Sequence, residues 1–219
     1  LGAVLVRFPN GTLLNIKKTD FRDDQILIRA KTGIGSLGLP TDRFSPLSLA
    51  DTVLIAGGLG KLTVDEADRV LAGHVINTSV SQGEDGYVFS GSTRPEDLAL
   101  ELQVLTAFLT DPGLRPAPLQ RAQTAYPQTL EQLTATPGGA FAVKGGAILA
   151  GGDKRAATPT VEEFQSVRIE PLREQIKTAL ASGPVEITVV GDVDVDAVIA
   201  AVGSTFGALP ARGAAPTPP

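Results

Sequence analysis

The chain has 219 residues, of which 42% are hydrophobic and 20% charged, and its formal net charge at pH 7 is −5. This composition is typical of a globular domain, and the acidic balance argues against a nucleic-acid-binding protein, which would usually carry a basic stripe. The absence of Cys and the presence of a single His, His74, exclude disulfides, thiolate zinc sites and any two-histidine metal site within the chain.

The N-terminal third of the sequence predicts three strands followed by two helices. The segments AVLVRF and TLLNIKKTD flank PNG, which is a hairpin-turn signal, and DQILIRAKTG is a third alternating segment. Apolar residues recur at helical spacing over 46–57. A second helix, 64–73, begins with Thr63 and Glu66 in the spacing of a capping box.

The remainder predicts a hairpin, a block of helices and a final strand–helix pair. Two strands surround QGEDG, and the helix over 95–111 presents a face of leucines. The helix over 116–135 contains Pro127, which is expected to kink or break it. Two more helices are predicted over 137–150 and 160–182, the second with a capping box, before the strand PVEITVVGD and the closing helix VDAVIAAVGSTFGALP.

Strands and helices are clustered along the chain rather than alternating regularly. This order predicts an α+β fold with a mainly antiparallel sheet of five to six strands and helices packed on one face. We expect one domain over residues 1–210 and a Pro/Ala-rich inter-domain linker over 211–219. The absence of Met and the sequence of this tail suggest a piece of a longer protein. No apolar run reaches the roughly 18 residues that a membrane span requires.

Two segments imitate ligand-binding motifs without completing them. In GGLGKLT, Leu62 stands where a phosphate loop needs Ser or Thr, and Ile55 stands where it needs the first glycine. In DVDVDA, the Gly and the Glu of a calcium loop are replaced by Ala197 and Gly203. The acidic run instead indicates a strand-to-helix turn whose charges favour the helix N-terminus.

Two further candidates for chemistry lack partners in the sequence. His74 follows a predicted helix, and a general base there would need a nucleophile and an orienting acid, yet no G-x-S-x-G elbow is present. Glu84 and Asp85 are adjacent in a turn, so their side chains should point apart. We interpret His74 as a loop residue and the Glu84–Asp85 pair as a solvated hairpin tip.

The order of these segments resembles a domain of the pitrilysin/insulinase family of zinc peptidases. FPNGTLLNIKKTDFRDDQILIRAKTG resembles the opening strands of that domain, and SLADTVLIAGGLGKLTVDEADRVLAG resembles its next two helices. TSVSQGEDGYVFSGSTRPEDLALELQVLTAFLTDPGLRPAPLQRAQ is similar to its hairpin and long helix, and EITVVGDVDVDAVIAAVGSTFGALP to its closing elements. The similarity covers nearly the whole chain and is greatest to the third of four domains in large bacterial members.

The resemblance implies where a zinc site would lie. Catalytic domains of the family carry His-x-x-Glu-His on the helix near Ser48, and a further Glu about 70 to 80 residues on completes the site. Those helix positions are Asp51, Leu54 and Ile55 here. The distal ligand should fall within 128–131, where Glu131 remains. The resemblance therefore implies an inactive domain with no catalytic, cofactor-binding or metal-binding residues of its own.

The resemblance also implies a setting for such a domain. It would form part of a closed chamber that binds unfolded peptides, and it would support a zinc-containing catalytic domain elsewhere in the same protein. The expected partners are the other domains of that polypeptide and the peptide substrate, with no nucleic acid and no membrane span. The expected location is the periplasm or cell envelope. The alternatives are a free-standing inactive subunit of a two-chain peptidase and an unrelated α+β binding domain.

Overall fold

A six-stranded mixed sheet forms one layer of the protein. The computed structural model describes residues 2–213. The strands lie in the order β1-β2-β6-β3-β5-β4, and every neighbouring pair is antiparallel except β2 and β6, which are parallel. The prediction of a mainly antiparallel sheet is confirmed. The strand bounds are β1 Val4–Arg7, β2 Leu13–Lys18, β3 Ile26–Thr32, β4 Asn77–Gln82, β5 Tyr87–Thr93 and β6 Glu186–Gly191.

The helices form the second layer, on one face of the sheet. Side chains alternate along β3, where Ile26, Ile28 and Ala30 are buried and Leu27 and Arg29 are exposed. This alternation is what a sheet covered on a single face requires, and it confirms the predicted layering. The helix bounds are α1 Ala50–Val53, α2 Val64–Val70, α3 Leu98–Thr110, α4 Pro116–Thr134, α5 Pro137–Leu149, α6 Val161–Ser166, α7 Ile169–Ala181 and α8 Val195–Ser204.

The helix predicted over 46–57 is shorter and less regular than expected. A 3₁₀ turn over Pro46–Leu49 precedes α1, which is a single turn over Ala50–Val53. The chain then turns at Gly58, which has φ +68° and therefore adopts a conformation that other residues rarely tolerate. The apolar spacing in the sequence thus reflects burial, since Leu47, Val53 and Leu54 are all in the core.

The helix predicted over 160–182 is two helices, α6 and α7, separated at Val167. The Nε2 group of Gln123 on α4 donates to the carbonyl oxygens of Phe164 and Val167, at 3.1 and 3.0 Å. These bonds satisfy carbonyl groups that leave the helical ladder at the break.

The two predicted capping boxes form, and Pro127 lies inside a continuous helix. Both capping boxes, Thr63 with Glu66 and Thr160 with Glu163, are present. Helix α4 continues through Pro127 without a break. The closing helix ends at Ser204, and a 3₁₀ turn over Phe206–Ala208 follows it.

Candidate functional site

The residues that correspond to the zinc helix lie where α1 meets the end of the edge strand β4. The carboxylate Oδ1 of Asp51 accepts a hydrogen bond of 2.7 Å from the backbone N–H of Gln82. Desolvation of the carboxylate raises the pKa of Asp51, and the bond from Gln82 partly offsets this rise. The side chain of Asp51 therefore accepts a hydrogen bond from the backbone of β4 and holds α1 against the sheet.

The other two helix positions are apolar and packed. The Leu54 side chain is 0% exposed and belongs to the hydrophobic core. Ile55 is half-buried and packs against that core. An aliphatic side chain can neither bind a metal nor move a proton, so neither position offers the chemistry of a ligand or a base.

The candidate distal ligand, Glu131, lies on the surface of α4. Glu131 and Gln128 are both exposed on α4. A catalytic zinc site needs three protein ligands and an open position. Within residues 2–213, no group of three or more His, Cys, Asp or Glu side chains is arranged to hold a metal ion.

A buried tyrosine completes the surroundings of Asp51. The Tyr87 side chain is 0% exposed, and its hydroxyl lies 3.5 Å from Nε2 of Gln82. Burial, together with the nearby charge of Asp51, raises the pKa of Tyr87 and keeps it a neutral phenol. Asp51, Gln82 and Tyr87 therefore join α1, β4 and β5 through polar contacts.

The free edge of β4 has a defined pattern of backbone groups. The hairpin closes with Gly83 N–H donating to Gly86 O, so alternate residues before it direct their N–H and C=O groups away from β5. These residues are Thr78, Val80 and Gln82. The Asp51 carboxylate accepts a hydrogen bond from the N–H of Gln82. No other described strand pairs with this edge.

His74 has an acidic partner that its sequence neighbourhood does not contain. Its Nδ1 lies 2.6 Å from Oδ1 of Asp97, whose Oδ2 accepts from Val75 N–H at 2.8 Å and from Arg94 Nε at 2.6 Å. The backbone bond from Val75, followed by the bonds from His74 and Arg94, holds the pKa of Asp97 well below its usual range.

This cluster joins the turn after α2 to the start of α3. The Thr93 hydroxyl donates to Val75 O at 2.7 Å, and His74 has its bond to Asp97. The arrangement therefore stabilises the turn. Sequence reasoning placed His74 in a loop but missed Asp97, which lies 23 positions away.

A second buried acid was missed in the sequence. Glu101 on α3 is 0% exposed, and its Oε1 accepts a 3.0 Å hydrogen bond from the Thr78 hydroxyl, while its Oε2 has no partner within the described residues. Burial raises the pKa of Glu101 to about 7. The available signal was its position between Leu98 and Leu105, within the apolar face of the helix.

The remaining acidic candidates have structural roles. Asp85 is an exposed residue at the hairpin tip and forms an ion pair with Lys31. Asp194 caps α8, its Oδ1 accepting from Ala197 N–H at 2.8 Å. The interpretation of that acidic run as a helix-start signal is therefore confirmed.

The sequence matches no protein-family model. It is 22% identical over 228 residues to the chloroplastic stromal processing peptidase of Arabidopsis thaliana, a match that covers 100% of this chain and 18% of that protein. The chain therefore spans less than a fifth of the curated relative it matches.

Solved structures share the fold over almost the whole chain. A peptidase M16 inactive domain from Pseudomonas fluorescens has a TM-score of 0.77 at 17% identity, covering 99% of this chain and 53% of that one. The periplasmic protease PqqL from Escherichia coli has a TM-score of 0.76 at 16% identity, covering 98% and 25%. Pitrilysin has a TM-score of 0.71 at 13% identity, covering 99% and 24%. The predicted resemblance to this family is confirmed in the fold.

Proposed function

We propose that this chain, which has the fold of the pitrilysin-type M16 peptidase domains, is a non-catalytic domain of a zinc metallopeptidase. In this proposal it forms part of the closed peptide-binding chamber and supports a catalytic domain elsewhere in the same protein. The chain spans about a quarter of pitrilysin and of PqqL, which supports further domains in the parent polypeptide.

The observation that carries this proposal is the state of the three zinc-helix positions. Asp51 is bonded to the backbone of β4, Leu54 is completely buried, and Ile55 packs against the core. Water activation by a carboxylate at position 54 would require an acid in a dry apolar environment, where an unpaired charge is costly. These contacts favour a scaffold over a peptidase centre.

The remaining features of the proposal follow from the family resemblance. Zinc would be bound by the catalytic domain of the parent protein, with no ligand from this chain. The partners would be the other domains of the polypeptide and unfolded peptide substrate. A periplasmic or cell-envelope location is supported by the likeness to PqqL, which is named as a periplasmic protease. No helix within residues 2–213 is both long and apolar enough to cross a membrane.

We also propose the domain boundary near residue 210, with 211–219 as a linker. Residues 214–219 lie outside the described part of the chain. Arg212, within the proposed linker, donates to the backbone carbonyls of Ser182 and Gly183, which directly follow α7, at 3.0 and 2.8 Å. The linker would therefore leave the domain from a fixed point beside α7.

Deletion of residues 1–210 from the full-length protein tests this function. We expect peptide cleavage to be lost or greatly reduced, while metal analysis still finds one zinc per chain. A matched control replaces the Glu of the His-x-x-Glu-His motif in the catalytic domain with Gln, which should abolish cleavage with this domain intact. Full cleavage after the deletion, or loss of zinc from the protein when only Asp51 is replaced by Ala, would contradict the proposal.

A further inference from the structure

A small cavity lies between α2, α3, β4 and the turn that follows α1. Its volume is about 160 Å³. An engineered protein cavity of about 150 Å³ lined by aliphatic and aromatic side chains holds one benzene molecule. The cavity therefore has the size of a single small ring. Its apolar wall includes Ile55, Leu59, Leu71, Ile76, Val104 and Phe108.

The wall also includes a hydroxyl group, that of Thr78, which is hydrogen-bonded to a buried acid. Thr78 lines the cavity, and its hydroxyl donates to Oε1 of Glu101, which is 0% exposed. Because the hydroxyl hydrogen is directed to Glu101, the lone pairs of the Thr78 oxygen remain available to a donor in the cavity. Glu101 lies on the face of α3 that continues, one and two turns later, with Val104 and Phe108.

We propose that this cavity binds a neutral, compact apolar group that carries one hydroxyl, of which phenol is the simplest example. The ring fills the apolar space, and its hydroxyl donates to the oxygen of Thr78. A charged group fits less well, because most of the wall is apolar and taking a charge out of water into such surroundings is costly. An anion is further disfavoured by the carboxylate of Asp68, which also lines the cavity.

Binding of phenol and of benzene to the 219-residue chain tests the inference, with the methyl signals of Ile76 and Val104 followed by NMR. We expect phenol to bind about five-fold more tightly than benzene, which is the effect of one hydrogen bond. Thr78→Val should remove this preference and Thr78→Ser should retain it. Ala67→Leu, which adds volume to a residue of the cavity wall, should prevent both ligands from binding.

Arg69→Ala, on the same helix as Ala67 but outside the cavity wall, is the control and should bind both ligands as the unchanged chain does. Circular dichroism establishes that each variant is folded. The absence of methyl shifts in the folded wild-type chain, or unchanged binding in Ala67→Leu, would overturn the inference. Because the readout is ligand binding without proteolysis, this result is independent of the proposed chamber function.

A tyrosine side chain presents the same chemistry as free phenol. N-acetyltyrosinamide therefore forms a second arm of the experiment. Competition between it and phenol would assign the site to the side chain of a bound peptide. Binding of phenol alone would assign it to a free small molecule. In either case the cavity is a site for a phenol group.

Discussion

The Asp51 carboxylate and the Gln82 backbone N–H form a 2.7 Å hydrogen bond that joins α1 to the edge strand β4. We predict that Asp51→Ala lowers the free energy of unfolding by about 1 kcal/mol, because an acceptor for a backbone N–H is lost. Asp51→Asn keeps a side-chain oxygen and should recover most of this stability. Urea denaturation of the three proteins measures the difference.

The same substitution tests the role of Asp51 in the parent peptidase. We expect Asp51→Ala and Glu131→Ala each to leave cleavage by the full-length protein nearly unchanged, since neither residue is proposed to contact zinc or substrate. The measurement is kcat/KM on an unfolded peptide. A large loss from either change, in protein whose thermal unfolding shows that it is folded, would mean that this helix face is functional.

The buried Glu101 predicts an unusual pH dependence of stability. Its pKa is raised from 4.5 to about 7 in the folded chain, so between these values the folded state holds a proton that the unfolded state has released. Stability from this group is fully present below about pH 4.5 and is lost as the pH rises through about 7, by about 3 kcal/mol in total.

Glu101→Gln removes this titration and keeps the shape of the side chain. We predict that the variant is more stable than the wild-type chain at about pH 8 and similar to it near pH 4.5. Urea denaturation at a series of pH values measures the effect, and Glu131→Gln, at an exposed position of α4, is the matched control. Parallel pH profiles for the wild type and Glu101→Gln would refute the prediction.

Because Leu54 is completely buried, we can predict the effect of placing a catalytic acid at position 54. Leu54→Ala should cost about 2–5 kcal/mol, because it removes a completely buried side chain from the core. Leu54→Glu should cost at least as much, since it buries an ionisable group among apolar neighbours. Ile55→Ala, at the adjacent half-buried position, provides the control and should have the smallest effect in thermal unfolding. Equal stability of Leu54→Glu and the wild type would contradict the core assignment.

Arg212 predicts that the segment after the closing helix contributes to stability. Its guanidinium donates to Gly183 O at 2.8 Å and to Ser182 O at 3.0 Å, and also contacts Leu180 O, at the C-terminal end of α7. Arg212→Ala should lower the free energy of unfolding by about 1–3 kcal/mol, as loss of charged hydrogen bonds does. Arg43→Ala removes an exposed arginine that pairs with the neighbouring exposed Asp42, and it should have little effect in the same thermal scan.

Local patterns were sufficient to predict the strands, the capping boxes and the layer arrangement, because each depends on neighbouring residues. The break between α6 and α7 could not be predicted in this way. It is accompanied by hydrogen bonds from Gln123, more than forty positions earlier, and by stacking of Tyr126 on Phe164 at 4.1 Å. Such contacts exist only once the helices have packed.

The same limit applies to the candidate site, where contacts between residues distant in the sequence could not be predicted. The resemblance located Asp51, Leu54 and Ile55, but the contact between Asp51 and Gln82 spans 31 positions and has no local signature. The pair of His74 and Asp97 is separated by 23 positions and was missed for the same reason. Glu101 was detectable in principle, as a charge within an apolar helical face, but its hydroxyl partner on β4 was not.

The insertion of β6 between β2 and β3 has a consequence for how the domain is made. Leu13 of β2 pairs with Glu186 of β6, so the N-terminal hairpin joins the sheet only through a strand near the other end of the domain. During synthesis, β2 cannot pair with β6 until nearly the entire domain has left the ribosome, at about 5–20 residues per second. Pairing across such a sequence distance is also slow to form. Nascent chains that stop before residue 186 should therefore expose an unpaired β2 edge and depend on chaperones.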